Sequence, residues 1–312
     1  VINLHVLVTG GAGFIGSQLV RKLIERGDRV TVLDNFDPYY SVERKRENLM
    51  GLPIRLIEGD IREPSDVQRA LADVDLVAHL AAKAGVRNSI ERPAEYIDNN
   101  VVGTQVLIEG MVSAGIKRAV YASSSSIYGS RVDGPFSETD CVDNPVSPYA
   151  ASKLAGELLW RAASNTWGIN VTALRLFTVY GPGQRPEMAI HLFAERALAG
   201  APVPRFGDGE SRRDYTFVSD IVDGFLLAMD RPQPFATYNL GNGNPVSLNE
   251  LISMLGRALG VDIKVEQLGD QVGDVPITWA DVSLAQKELG YSASVSLLDG
   301  LRQFVAWKFS GR

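Results

Sequence analysis

Tyr149 and Lys153 stand four residues apart in SPYAASKLAGELL, a stretch that reads as a helix, so they share one face. A tyrosine titrates at about pH 10 and needs help to act as a base near neutrality. An ammonium one turn away supplies that help by stabilising the phenolate. Upstream, Ser123, Ser124, Ser125 and Ser126 form four consecutive hydroxyls, poor glue for a core but a good polar cradle. A serine that holds a substrate oxygen while the tyrosine takes its proton completes the set, and Ser124 is assigned that role. On its own a Tyr-x-x-x-Lys pair also describes a solvated helix face, so its meaning depends on what surrounds it.

The elements that must position this set begin at Leu4. His5 to Thr9 is a short β-branched, apolar run, as expected of a strand buried on both faces. Gly10, Gly13 and Gly16 follow, then an amphipathic helix to about Arg26. Arg29 to Asp34 reads as a second buried strand, ending in a carboxylate 18 residues after Gly16. A dinucleotide site requires this order. One glycine makes the tight turn, one lets backbone N–H groups approach the pyrophosphate, and one packs helix against strand, with the pyrophosphate at the helix N-terminus. Asp34 then accepts hydrogen bonds from both adenosine ribose hydroxyls and repels a 2′-phosphate, which favours NAD over NADP. With a nicotinamide present, the chemistry of the Ser–Tyr–Lys set is oxidation of a hydroxyl, and the oxidised ring joins Lys153 in stabilising the phenolate.

The 312 residues suit two domains, or one large domain with an appendage. Hydrophobic content of 45% and charged content of 22% are those of an ordinary globular chain with a sizeable core. A net charge of −6 argues against a nucleic-acid surface, so an anionic ligand must meet a local cluster of arginines. The single cysteine, Cys141, excludes internal disulfides and a cysteine-based zinc site, and reads as an inert thiol in a reducing, cytoplasmic setting. No apolar run approaches the length of a membrane span, and no basic-then-apolar signal segment opens the chain, so neither a membrane nor a metal is expected.

After Asp34 a polar loop leads into a short charged helix. Ile54 to Glu58 is a third strand, closed by Gly59-Asp60-Ile61. Ligands of a doubly wound sheet bind beyond the C-terminal ends of its strands. Asp60 therefore either reaches the adenine amino group while Ile61 packs on the ring, or is a turn or N-cap aspartate. Leu76 to Leu80 is a fourth strand; Ala81 and Ala82, before Lys83, are small enough for a cofactor to lie close, and His79 reads as a core histidine. Pro93 to Ala114 reads as one long helix in which Asn99 and Asn100 are either exposed or held by specific hydrogen bonds. Arg118 to Ser123 is a fifth strand and Asn170 to Arg175 a sixth, with Ser147 as N-cap and Pro148 in the first turn of the helix between them. Beyond it the β/α alternation loosens, and helices at about 188–199, 219–229, 247–259 and 297–309 suggest a smaller domain interleaved with the sheet. The expected fold is α/β: a Rossmann-type doubly wound parallel sheet with a smaller C-terminal α/β substrate domain. Residues 1–175 form the dinucleotide-binding domain, with about 211–240 returning to it, and 176–312 mainly the substrate domain.

Five stretches, TGGAGFIG, HLAAKAGV, SSSSIYG, YAASK and RRDYTFVSDIVDG, together resemble the extended short-chain dehydrogenase/reductases that act on nucleotide sugars, over essentially the whole chain. Within that family, DNFDPYYSVERKRENL and LRLFTVYGPGQRPEMAIHLF are most similar to UDP-glucuronate 4-epimerases. The resemblance implies tightly held NAD, a UDP-sugar substrate in the C-terminal domain, and a homodimer joined through a helical bundle. It implies Ser124, Tyr149 and Lys153 as the catalytic group. It gives NAD contacts to Gly10, Gly13, Phe14, Ile15, Gly16, Asp34, Asn35, Asp60, Ile61, Leu80, Ala81, Ala82, Lys83, Asn99, Tyr149 and Lys153, with Lys83 departing from the glutamine expected there. On the substrate side, Ser124 and Tyr149 face the sugar, Ser125, Ser126 and Thr178 cradle its carboxylate, and Arg185 contacts phosphate or carboxylate. Arg213 pairs with the pyrophosphate, and Arg205, Phe206 and Asp274 line the uridine.

The implied mechanism uses the cofactor twice: hydride leaves C4, the 4-keto sugar rotates, and hydride returns to the opposite face. The same machinery serves UDP-glucose/galactose 4-epimerases, which place an asparagine where this chain has Thr178. Sugar 4,6-dehydratases carry an Asp-Glu pair at the positions of Ser125 and Ser126, and UDP-glucuronate decarboxylases a glutamate at Ser126. A catalytically idle NAD-binding regulator is the reading from another class, and the intact Ser124, Tyr149 and Lys153 set speaks against it.

Overall fold

Five buried residues, His5–Thr9 (β1), run through the middle of a parallel sheet in the computed structural model, which describes residues 3–269 and 275–309. On one side β1 pairs with Arg29–Asp34 (β2), which pairs with Arg55–Glu58 (β3). On the other it pairs with Leu76–His79 (β4), which pairs with Arg118–Ser124 (β5). Asn170–Leu176 (β6) and a last strand, Phe235–Leu240, extend that side, so the order is Phe235–Leu240, β6, β5, β4, β1, β2, β3. Strand order reverses between β1 and β4, the switch point at which such sheets bind their ligands.

Helix Phe14–Arg26 (α1) follows β1 and ends at Gly27, whose φ of +92° suits a left-handed cap. Under β4 and β5, Tyr121, Trp160, Leu107, Ile108, Met111, Val67 and Leu71 form a buried cluster, each large aliphatic contributing about 1.5–3 kcal/mol on burial. Pro93 to Ala114 is not one regular helix. Pro93–Ile97 and Gly103–Ala114 flank a five-residue π turn, Asp98–Val102, and that turn brings both Asn99 and Asn100 into the interior. Two further short helices, Pro64–Ala70 and Val86–Glu91, bury too few residues to show a period in sequence.

The described residues fall into two compact units. One comprises the chain up to Gly129 with Cys141–Arg175 and Val222–Tyr238; the other comprises Ser130–Asp140, Leu176–Ile221 and the chain from Asn239. The second has its own core of Tyr180, Phe193, Val203, Leu251, Leu255, Leu301 and Phe304. Its helix Leu248–Leu259 begins with a reciprocal cap between Ser247 and Glu250. Among the described residues no helix is long and apolar enough to cross a membrane.

Candidate active site

The turn after β1 is built for close approach. A Cβ on Gly16 would lie 2.2 Å from the Gly10 carbonyl oxygen, and one on Gly10 2.8 Å from the backbone of Ala81. Gly13, the N-cap of α1, gives no side-chain acceptor to the first N–H groups, and no acid stands in the first turn. Those donors and the helix dipole fit a diphosphate. Phe14 is buried and Ile15 half-buried in that turn. At the tip of β2, Asp34 accepts N–H groups of Ala12 and Phe36, each at 2.9 Å. Burial pushes its carboxyl upward and those two bonds oppose the shift. A carboxylate has about four acceptor positions, so lone pairs remain for ribose hydroxyls.

Asn35 donates to Asp60 at 3.0 Å, and Arg62 reaches the same carboxylate through Nε at 2.9 Å and Nη2 at 2.7 Å. The Arg62 side chain holds the Asp60 carboxyl down at about 2 against the opposing effect of burial. Asp60 also accepts the Arg62 N–H, so the turn role read from sequence is present, while Glu63 stands at the N-cap of the helix that follows. Ile61 is buried against Gly103, where a Cβ would lie 2.6 Å from its Cδ1. Leu80, Ala81, Ala82 and Lys83 follow β4 half-buried. Lys83 bonds Glu95 at 2.7 Å and pairs with Asp37 at 3.2 Å. Its peptide is clamped from both sides by Asn100, which accepts its N–H at 2.7 Å and donates to its carbonyl at 2.9 Å. Asn99 donates to Asn100, and Asn100 to Ser152. Nothing assigned Asn100 a role in sequence; an amide pair inside an otherwise apolar helix was its only signal.

His79 is fully buried at the end of β4, and its partners fix its proton. Thr104 donates to the Asn100 carbonyl, so its oxygen accepts from His79 Nε2 at 2.9 Å, and Nδ1 accepts from Thr9 at 2.8 Å. Burial, helped by the charge of Lys153, pushes the imidazole down to about 3. The unfolded chain therefore binds one more proton than the folded one between about pH 3 and 6.5. Stability from this group is full above pH 6.5 and falls below it by about 1.4 kcal/mol per pH unit. In urea titrations at pH 7, 5.5 and 4.5, His79→Gln should lose stability with acidity more shallowly than the parent by about that slope. Equal slopes would exclude a neutral, buried His79.

Ser147 caps helix Pro148–Trp167 by accepting the Ala150 N–H at 3.1 Å. Half-buried Tyr149 lies edge-on to Tyr96, with ring centroids 6.2 Å apart. Lys153 is buried, with Nζ 4.4 Å from the Tyr121 ring centroid. Burial pushes its ammonium down to about 7, and the charge of Glu157 pulls it back up. Ser124 ends β5, and its Oγ accepts both the Ser126 N–H at 3.2 Å and the Ser126 hydroxyl at 2.9 Å. The Ser124 proton is thus left to point at something else. Ser125 opens a short 3-10 turn, Ser125–Tyr128, beside it, whereas Ser123 turns into the core and donates to Glu157 at 2.5 Å.

Within the second unit, Thr178 opens strand Thr178–Tyr180, which pairs in parallel with Tyr215–Phe217; its N–H donates to the Asp214 carbonyl. Arg213, beside Asp214, donates to the Arg212 carbonyl at 2.8 Å, and Arg212–Arg213 pairs with Val246–Ser247 in a two-stranded sheet separate from that of Thr178. Arg205 and Phe206 end a strand paired with Val265–Leu268, and Arg205 bonds Gln267 at 3.0 Å and Asn249 at 3.3 Å. Arg185 pairs with Glu187 at 3.3 Å. Asp274 lies outside the described residues.

A parallel sheet whose glycine turn faces a helix N-terminus, with serine, tyrosine and lysine on β5 and the following helix, defines a short-chain dehydrogenase/reductase. The chain belongs to the NAD dependent epimerase/dehydratase family, whose sequence profile matches residues 6–241. It is 41% identical to UDP-glucuronate 4-epimerase 4 of Arabidopsis thaliana over 99% of this chain and 76% of that one. The crystal structure of a UDP-glucuronic acid 4-epimerase from Bacillus cereus, in complex with UDP-glucuronic acid and NAD, superposes with a TM-score of 0.92 at 35% identity, covering 97% of this chain and 98% of the other. A UDP-glucose 4-epimerase from Thermotoga maritima, crystallised with UDP-glucose, gives 0.91 at 35% identity, covering 98% and 99%.

Proposed function

We propose that this chain is a UDP-glucuronate 4-epimerase. The first compact unit holds NAD through the Gly10–Gly16 turn, Asp34 and the residues after β4, and the second holds the UDP-sugar. NAD supplies a hydride acceptor that returns the hydride at the end of the cycle. Ser124 donates a hydrogen bond to the sugar O4 and Tyr149 takes its proton as the C4–H bond breaks. Lys153 holds the phenolate down, and Tyr149 returns the proton once the 4-keto sugar has presented its other face.

The observation that carries this reading is the hydroxyl-only turn at Ser124, Ser125 and Ser126. Elimination needs an acid and a base there, and neither is present. Oxidation at C4 of a glucuronate makes a β-keto acid, which is prone to lose CO₂. Hydroxyls of Ser125, Ser126 and Thr178 holding the carboxylate in the sugar plane keep the breaking C–C bond out of overlap with the carbonyl. Arg185, Arg205, Phe206, Arg213 and Asp274 complete the nucleotide-sugar contacts in this proposal, arginine suiting the diphosphate by its fork of donors.

Proton NMR of the protein with UDP-glucuronate, and in parallel with UDP-glucose, tests this. We expect UDP-galacturonate from the first and little turnover of the second. Turnover of UDP-glucose alone would move the chain to the UDP-glucose 4-epimerases, the reading favoured by its likeness to the Thermotoga enzyme. Ser125→Ala and Thr178→Val should raise the share of UDP-pentose product severalfold; variants that stop epimerising yet release no pentose would refute the cradle.

The same proposal includes a homodimer, supported by the exposed apolar side chains of Ile97, Val102 and Leu158 on neighbouring helical segments. Light scattering at the monomer mass would overturn it. It also includes a cytoplasmic setting, supported by a chain whose one cysteine leaves it independent of disulfides; fractionation of the source cells tests that.

A further inference from the structure

We propose that Glu157 is a positioning residue for this reaction: it locks the strand end carrying Ser124 to the helix carrying Tyr149 and Lys153, and it is the buried counter-charge of the Lys153 ammonium. The inference rests on the reading of Ser124, Tyr149 and Lys153 as the catalytic set. Residues 149, 153 and 157 follow one another at four-residue steps along one helical row. Glu157 Oε1 accepts the Ser123 hydroxyl at 2.5 Å and Arg175 Nε at 3.0 Å, and Oε2 accepts Arg175 Nη2 at 2.9 Å. Arg175 in turn donates to the Tyr128 hydroxyl at 2.9 Å. One carboxylate thereby joins the end of β5, the 3-10 turn that holds Ser125 and Ser126, the end of β6 and the catalytic helix. Below it, the Tyr121 hydroxyl donates to the Lys153 carbonyl at 3.3 Å, in a space open only because residue 156 is glycine.

A pair this deep is a poor stability device. Glu157 and Arg175 are each 5% exposed, and well-packed apolar side chains commonly serve a core as well as such an ion pair. What an apolar pair would not do is place a negative charge one turn from Lys153. The groups facing Lys153 and Glu157 are Tyr121 and Ser123 on β5, Tyr128 on the turn, Arg175 on β6, neutral His79 on β4 and Tyr149 on their own helix. The Glu157 carboxylate favours the charged lysine against its burial, alongside the π face of Tyr121.

The charge and the tether are separable by three variants of the NAD-loaded full chain. Glu157→Gln should move the Lys153 titration, and with it the alkaline limb of kcat for UDP-glucuronate, to lower pH by about one unit. Arg175→Gln leaves Glu157 uncompensated and should move both to higher pH. Ser123→Ala keeps the charges; it should lower kcat about tenfold, leaving KM within about twofold and the limb in place. Lys153 is followed by NMR of 13Cε-labelled lysine, assigned with Lys153→Met. Damage to structure alone would lower both charge variants without opposite shifts. Shifts of one sign, an unmoved Lys153 resonance, or an unchanged kcat in Ser123→Ala would each overturn the proposal, and the last decides it if the charge variants do not fold. A parent protein that leaves UDP-glucuronate untouched overturns the proposed function instead, and the lysine titration still reports on Glu157.

Discussion

Tyr149→Phe is expected to lower kcat for UDP-glucuronate by about 10²–10⁴-fold, the range over which a positioned general base acts. The ring stays, so its edge contact with Tyr96 and the helix cap at Ser147 are kept. KM, bound NAD and the urea midpoint should therefore stay within about twofold of the parent, because the variant removes only the hydroxyl proposed to move the proton. Kinetics by coupled assay or NMR, with NAD content from absorbance, measure this directly. A variant retaining a tenth of the activity would remove Tyr149 from the role of base.

Asp214→Ala is expected to cost about 3–5 kcal/mol of stability. Asp214 is wholly buried in the second unit. Its Oδ1 accepts the Asn242 N–H at 2.7 Å and the Thr216 hydroxyl at 3.2 Å; Oδ2 accepts the N–H groups of Gly243 at 2.9 Å and Ala280 at 3.0 Å. Alanine leaves three buried backbone donors without an acceptor, each loss costing about 1–3 kcal/mol. Arg213 precedes Asp214 and Thr178 bonds its backbone carbonyl, so under the proposed reading of those two residues as substrate contacts the variant should also raise KM for the UDP-sugar. Urea unfolding followed by fluorescence reads the first effect. A loss under about 1 kcal/mol would mean that the loops find other acceptors.

The frame of the molecule was legible because its physics is local. A strand buried on both faces must be apolar throughout, and a turn that passes 2.2 Å from a would-be Cβ must be glycine, so His5–Thr9 and Gly10–Gly16 announced themselves. Tyr149 and Lys153 were legible for a similar reason, since helix geometry alone places them together. Asp60 admitted two readings, and its partner Arg62 reaches it through side-chain geometry that no spacing reveals. Glu157 and Arg175 were missed because a charged residue in a helix or strand reads as surface unless its partner is known, and theirs lies on another element. The π turn at Asp98–Val102 has no sequence marker, and with it went the two-sided clamp of Asn100 on Lys83. In the second unit the strands near Thr178 and Arg213 are two or three residues long, too short to carry a period, so those residues were placed by resemblance alone.

The order in which segments join the sheet bears on how the protein is made. The first unit takes its last segment, Val222–Tyr238, only after Leu176–Ile221 of the second has been synthesised. Until then β6 is a bare edge, and Ser164 and Val171 lack the Pro234 carbonyl that they bond in the finished protein. At about 5–20 residues per second a ribosome spends several seconds on that interval. The nascent chain thus carries an open parallel edge, a surface that invites pairing with other chains. Shielding during translation, rather than any feature of the finished site, sets the demand this topology places on the cell.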